Sequence, residues 1–371
     1  MLPFLVACAI AAFAAALALM LLGAATPAAV AHVVFAAGVL PLIFGAMTHF
    51  VPVLTRGRAA GRAVQALPLG LLAAGLVAVT AFLLPAFFLF GSHLAALAGL
   101  TLSLLMAGWI VHRARAALGA PHPCLHWYLA AVLCLALALA AVLAMPLLPG
   151  QRAALRLFHL HLNTLGFIGL TALGTLAVLV PTALGRPDPE AAGRLRRDLL
   201  PAAAGVLLVA AGAAWWMPAA LGGALLLLLP LVRQGTAWVV RFANEILCPH
   251  GAAASLALAL GGFTLLLLAG MLHGVGRLQG GEAVAGFALA FLLPLVTGAA
   301  SQLLPVWLRP GVQTEWHRAV HESLGRFAVL RGLTFLIAGL GVTLGVPAAA
   351  WLAAAGLAMF VLQVLRALLR R

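Results

Sequence analysis

Twelve of the 371 residues are histidine in a chain that is 65% apolar, and imidazole ligates metals in its neutral form. The segment "RAALRLFHLHLNTLG" places Arg152, Arg156, His159 and Asn163 at spacings of 4, 3 and 4, so a helix carries them as one polar stripe. His161 stands two residues beyond His159 and points roughly 200° away on a regular helix, so one such helix cannot aim both at a single metal. A third histidine, His32, lies 20 residues before Pro52, just as His161 lies 20 residues before Pro181. Two neutral imidazoles at one depth can hold a haem iron from both sides or contribute to a copper site. Interfacial histidines bonded to water are the competing reading. Arg152 and Arg156 offer two-pronged donors that suit the carboxylates of haem propionates, and lipid phosphates would suit them as well.

The elements that must position these residues are written into a recurring signature. "GAMTHFVPVLTRGR", "GTLAVLVPTALGRP" and "GAASQLLPVWLRPG" each set a glycine seven residues before a proline, as Gly45 and Pro52, Gly174 and Pro181, Gly298 and Pro305. The prolines are 129 and 124 residues apart. Apolar runs long enough to cross about 30 Å of hydrocarbon number twelve. They fall at about 3–22, 30–54, 64–89, 92–112, 125–148, 157–181, 199–217, 219–240, 252–273, 283–307, 327–345 and 347–367. The eighth is the weakest, because Arg233 and Gln234 interrupt it. The signature falls on runs 2, 6 and 10, the second span of each group of four. The expected fold is therefore an all-α polytopic membrane protein, one transmembrane domain over 1–371 in three pseudo-symmetric four-helix repeats, at approximately 1–120, 121–246 and 247–371. Glycine lets a neighbouring helix approach closely within the membrane, and the proline weakens the backbone ladder beyond it.

The net charge of +14 comes from 21 arginines and no lysine. With the N-terminus inside, only Arg152, Arg156 and Arg277 lie outside. That bias predicts a multi-pass protein of a bacterial-type inner membrane with both termini cytoplasmic, its partner the lipid bilayer and not nucleic acid. The first run has no basic flank and no cleavage site, so it reads as a retained helix. Cys8, Cys124, Cys134 and Cys248 show no disulfide framework.

On the inner side, "HPCLH" (His122, Cys124, His126) and "CPH" (Cys248, His250) occupy equivalent places in two repeats and combine soft sulfur with imidazole, a weak copper signal. "TEWHRAVHESLGR" carries Trp316, Val320 and Leu324 on one face beside His317 and His321, an amphipathic helix at the inner interface. His49 and Gln302 precede their prolines by three residues and are the hints of a polar path. The acidic residues all fall at loops or helix ends, which disfavours a transporter coupled through embedded carboxylates. No phosphate-binding loop or hydrolase triad is present, and no residue is assigned a catalytic role.

Twelve spans in three four-helix units, with His32 and His161 at the starts of spans 2 and 6, resemble the haem-copper oxidase superfamily. Within it, "AHVVFAAGVLPLIFGAMTHFVPVLTRGR" and "HLHLNTLGFIGLTALGTLAVLVPTALGRP" are similar to the NnrS family of haem- and copper-containing membrane proteins linked to nitric oxide resistance. The resemblance implies a b-type haem held by His32 with His161 or His159. It also implies copper as a possible second metal, and nitric oxide or another diatomic as ligand, in nitric oxide response or redox chemistry. The oxidases carry further histidines around spans 7 and 10, and this chain has none there, so a full binuclear centre is not expected. A cofactor-free transporter or channel, or a scaffold subunit, are the alternatives.

Overall fold

The computed structural model describes residues 1–246, 248–278 and 283–369, and every regular element among them is helical. Twelve helices are long and apolar enough to cross a membrane, so the chain is an all-α multi-pass membrane protein. They are α1 (Leu2–Leu21), α2 (Pro27–Leu54), α3 (Arg62–Leu83), α4 (Pro85–Arg115), α5 (Cys124–Ala144), α6 (Pro149–Ala183), α7 (Ala191–Trp215), α8 (Met217–Ile246), α9 (Ala252–Gly274), α10 (Ala283–Leu308), α11 (Glu315–Thr343) and α12 (Pro347–Leu369).

Two features differ from the hydropathy reading, each for a local reason. The third span stops at Leu83, because Pro85 forces Leu84 into an extended conformation. Arg233 and Gln234 do not interrupt α8, whose helical geometry breaks later, at Phe242 (φ −134°, ψ 20°). As the sequence reading expects, the amphipathic stretch and the eleventh span are separate helices within α11, Glu315–Gly325 and Ala328–Thr343, joined through Phe327 in a left-handed conformation (φ 57°).

The glycine–proline register is carried by the backbone as well as by the sequence. In α2 a π-helical turn runs from Phe35 to Val39, 17 to 13 residues before Pro52. In α10 it runs from Ala288 to Leu292, the same 17 to 13 residues before Pro305. In α6 the π segment is longer, Leu162–Leu170, and spans the same offsets from Pro181. A π turn widens the helix and displaces its carbonyls, which favours small neighbours where another backbone comes close. Gly75 of α3 accordingly faces the Ala36 carbonyl, Gly166 faces Cys134 of α5, and both Gly262 of α9 and Gly339 of α11 face Ala290.

The signature glycines have one job in common. A Cβ on Gly45 would meet Leu5 of α1 at 2.5 Å, one on Gly174 would meet Trp127 of α5 at 2.8 Å, and one on Gly298 would meet Ser255 of α9 at 3.0 Å. Each is the point where the second helix of a four-helix group presses on the first.

The helices gather into two compact units. The first comprises Met1–Ala12, Ala28–Thr175 and Pro189–Pro230. Within it α3 packs on α4, α4 on α5, and α5 on the π segment of α6, with Phe44 and Phe167 edge to face at 5.8 Å. Trp127, fully buried, donates its indole N–H to the Leu195 carbonyl at 2.9 Å. The second comprises Phe13–Pro27, Leu176–Asp188 and Leu231–Arg371. There α9 packs on α10 and α11, α11 packs on α12, and Phe263 stacks on Phe291 at 4.7 Å. In that unit Asp188 pairs with Arg241 at 3.5 Å and Arg186 with Glu245, both at helix ends.

Candidate functional site

The histidines of interest all belong to the first unit, and the helix register decides where each ring goes. His32 lies three residues before the π turn of α2, its Nδ1 2.7 Å from the Ala28 carbonyl one turn back. Its ring stacks on Phe82 of α3, centroid to centroid 4.0 Å with 26° between planes. His161 immediately precedes the π segment of α6 and bonds its own helix, Nδ1 2.8 Å from the Leu157 carbonyl. His159 instead reaches across to α5, its Nδ1 2.9 Å from the Ala138 carbonyl.

Of the two candidates on α6, His159 is turned toward α5, whereas His161 is turned back along its own helix. A helix regular through Arg152–His161 carries the two rings on different sides, as their spacing requires.

The hydrogen-bond pattern sets the chemistry of the pair. An Nδ1–H donated to a backbone carbonyl fixes the neutral tautomer and leaves the Nε2 lone pair available to a metal. His32 and His159 both have this arrangement. Asn163 donates its Nδ2 hydrogen to the His159 carbonyl at 2.9 Å and stands 3.4 Å from His159 Nε2, the outer limit of a hydrogen bond, so that lone pair is only weakly engaged. Each of the two imidazoles can thus offer Nε2 to a metal. Arg152 and Arg156, on the same stripe as His159, are both exposed.

Two features here were not read from the sequence. Phe82 supplies the aromatic wall behind His32, and no spacing rule links it to span 2. His93 of α4 bonds the Leu89 carbonyl through Nδ1 at 2.6 Å, and its buried Nε2 has no partner among the described residues. Its polarity inside a long apolar run was the available signal.

The inner-side motifs resolve into helix caps. His122 Nδ1 accepts the backbone N–H of Cys124 at 3.3 Å at the start of α5, and burial, with Arg196 nearby, holds its imidazole below the ordinary histidine range. His250 Nδ1 accepts the N–H of Phe327 at 3.1 Å. Cys124 is buried and Cys248 exposed. Among the described residues no three histidine, cysteine or acidic side chains converge to hold a metal.

The amphipathic segment forms the helix Glu315–Gly325, with Val320 and Leu324 buried as it packs on α10 and α12. His317, expected beside that face, is also buried. It closes a capping box with Thr314, its Nδ1 3.0 Å from the Thr314 N–H, and its Nε2 stands 2.8 Å from the Arg309 carbonyl. Histidine takes the place usually held by Glu or Gln in that motif. The polar-path residues His49 and Gln302 lie in different units, His49 exposed and Gln302 half-buried.

Comparison with known proteins adds no identity. No family model, no curated protein and no solved structure matches the chain.

Proposed function

We propose that this is a haem-binding integral membrane protein, similar in kind to the NnrS-like relatives of the haem-copper oxidases, with His32 and His159 as its axial ligands. The observation that supports the reading is the hydrogen bonding of these two imidazoles, each tied through Nδ1 to a backbone carbonyl, which leaves Nε2 as the ligating nitrogen, weakly engaged by Asn163 in His159. Haem would supply a one-electron iron couple. His159, anchored to α5, and His32, stacked on Phe82, would hold it in one orientation. Arg152 and Arg156 would receive its propionates at the mouth of α6.

With both imidazoles engaged, a diatomic such as nitric oxide reaches the metal only if one of them withdraws. The pair thus favours relay of electrons over capture of gas. The test is electron paramagnetic resonance of protein purified from haem-supplemented cells. A low-spin ferric signal of the two-imidazole type is expected, and protein that carries no haem under those conditions contradicts the reading.

A further inference from the structure

A groove of about 1240 Å³ opens within the second unit, far in sequence from the histidine pair. Its lining comes from the end of α6, the starts of α9 and of the second half of α11, and from α10 and α12. Apart from Ala355–Leu362, which run along the middle of α12, these lie near helix ends that the arginine bias assigns to one side of the membrane.

The groove is cationic at one end. Arg326 and Arg366 line it and are exposed, and Glu322 is the one acidic residue in its wall among the described residues. Behind the wall lies Arg331, 0% exposed. Its guanidinium donates to Gln363 Oε1 at 2.7 Å, to the Leu324 carbonyl at 3.2 Å and to Ser301 Oγ at 3.4 Å, and its Nε has no acceptor among the described residues. Ser301 and Gln363 are themselves part of the groove wall. No carboxylate pairs with Arg326, Arg331 or Arg366 among the described residues. A buried cation without a counter-charge is costly, and the adjoining groove is where an anion would offset it. His250 adds a donor there, since its Nδ1 accepts the Phe327 N–H and its hydrogen therefore sits on Nε2.

The other end is apolar. Ala355, Ala358, Met359 and Leu362 continue into Gln363 and Arg366 along one face of α12, at spacings of 3, 1, 3, 1 and 3. That face is roughly 16 Å long at 1.5 Å per residue, and it passes from hydrocarbon-like to cationic along its length. Such a gradient matches an amphiphile whose charged head is a phosphate.

We propose that this groove binds a phosphate group carried by an anionic phospholipid, with Arg326 and Arg366 on the phosphate and the Ala355–Leu362 face against an acyl chain. The test uses the full chain in a neutral detergent, with binding read by native mass spectrometry and by the shift in melting temperature. Three probes are compared: dioctanoyl phosphatidylglycerol, dioctanoyl phosphatidylcholine and inorganic phosphate. The anionic lipid is expected to bind at least roughly tenfold more tightly than the zwitterionic one. The Arg326→Gln, Arg366→Gln double variant, altered only at exposed positions, is expected to melt like the parent without lipid and to lose that preference. Met359→Trp, which fills the apolar end, is expected to weaken the lipid and leave inorganic phosphate unaffected. Inorganic phosphate binding as tightly as the lipid, with Met359→Trp inert, would support the phosphate site and overturn the lipid as its source. Equal binding of the two lipids, or a double variant that keeps the preference, would overturn the proposal.

Discussion

His159 Nδ1 stands 2.9 Å from the carbonyl oxygen of Ala138, a bond that ties an imidazole on α6 to the neighbouring helix α5. His161, two residues on, bonds only within its own helix. The two neighbours thus aim their rings at different helices, and the consequences below follow from that geometry and from the packing around it.

On the proposed haem reading, Arg152 and Arg156 would receive the propionates. Charge-assisted hydrogen bonds contribute roughly 1.5–3 kcal/mol each, so the Arg152→Gln, Arg156→Gln double variant should hold haem at least about tenfold more weakly. Its midpoint potential should fall, because removing nearby positive charge favours the oxidised iron. A redox titration against the parent checks this; a potential that stays put or rises, with haem content unchanged, would assign the pair to lipid phosphates.

The signature glycines should differ in tolerance. An alanine Cβ at Gly45 meets the tip of Leu5, whereas at Gly174 it meets the Cβ of Trp127, which cannot move without its helix. Gly174→Ala should therefore cost about 1–3 kcal/mol of stability as an overpacking substitution, and Gly45→Ala less. Melting temperatures of the two variants in one detergent make the comparison, and equal losses would show that α5 yields as readily as a leucine tip.

Arg331 and Gln363 form a buried polar pair at 2.7 Å. Gln363→Leu strips the guanidinium of its best acceptor and should destabilise by roughly 1–3 kcal/mol or more. Adding Arg331→Met removes the stranded charge, so the double variant should melt above Gln363→Leu alone. A double variant that melts lower would mean that the cation is held by contacts other than this one.

His122 predicts a pH effect with a definite sign. Its folded-state affinity for protons is lowered from the ordinary value of 6.5 by burial and by Arg196. The unfolded chain then binds the proton first as pH falls, so stability is full above about 6.5 and declines below it. Protonation at Nδ1 also ends the acceptance of the Cys124 N–H, a hydrogen bond worth about 1 kcal/mol. The melting temperature should drop between pH 7 and 5, and His122→Asn should flatten part of that slope. A slope identical in both proteins would remove His122 from the account.

The membrane makes part of this fold legible, because every crossing needs about 20 apolar residues and the Gly45, Gly174 and Gly298 contacts recur at a fixed offset from proline. The π turns were not legible. They arise where Ala36, Cys134 and Ala290 meet their neighbouring helices, and local sequence does not encode that contact. The choice between His159 and His161 was open for a similar reason: it depends on the Ala138 carbonyl, on another helix. The bonds that His122 and His317 make at helix starts were not legible, because histidine is an unusual acceptor there; His122 drew a copper reading and His317 the reading of an interfacial helix. Arg331 and Gln363, polar residues in two adjacent apolar spans, were visible singly and only the fold pairs them.

The most direct test of the haem assignment is the reduced-minus-oxidised optical spectrum of the purified parent, His32→Ala, His159→Ala and His161→Ala proteins, each from haem-supplemented cells. The account predicts a b-type difference spectrum in the parent and in His161→Ala, and its loss or conversion to a five-coordinate form in His32→Ala and His159→Ala. A parent without Soret absorbance, or a spectrum lost in His161→Ala and retained in His159→Ala, would contradict it.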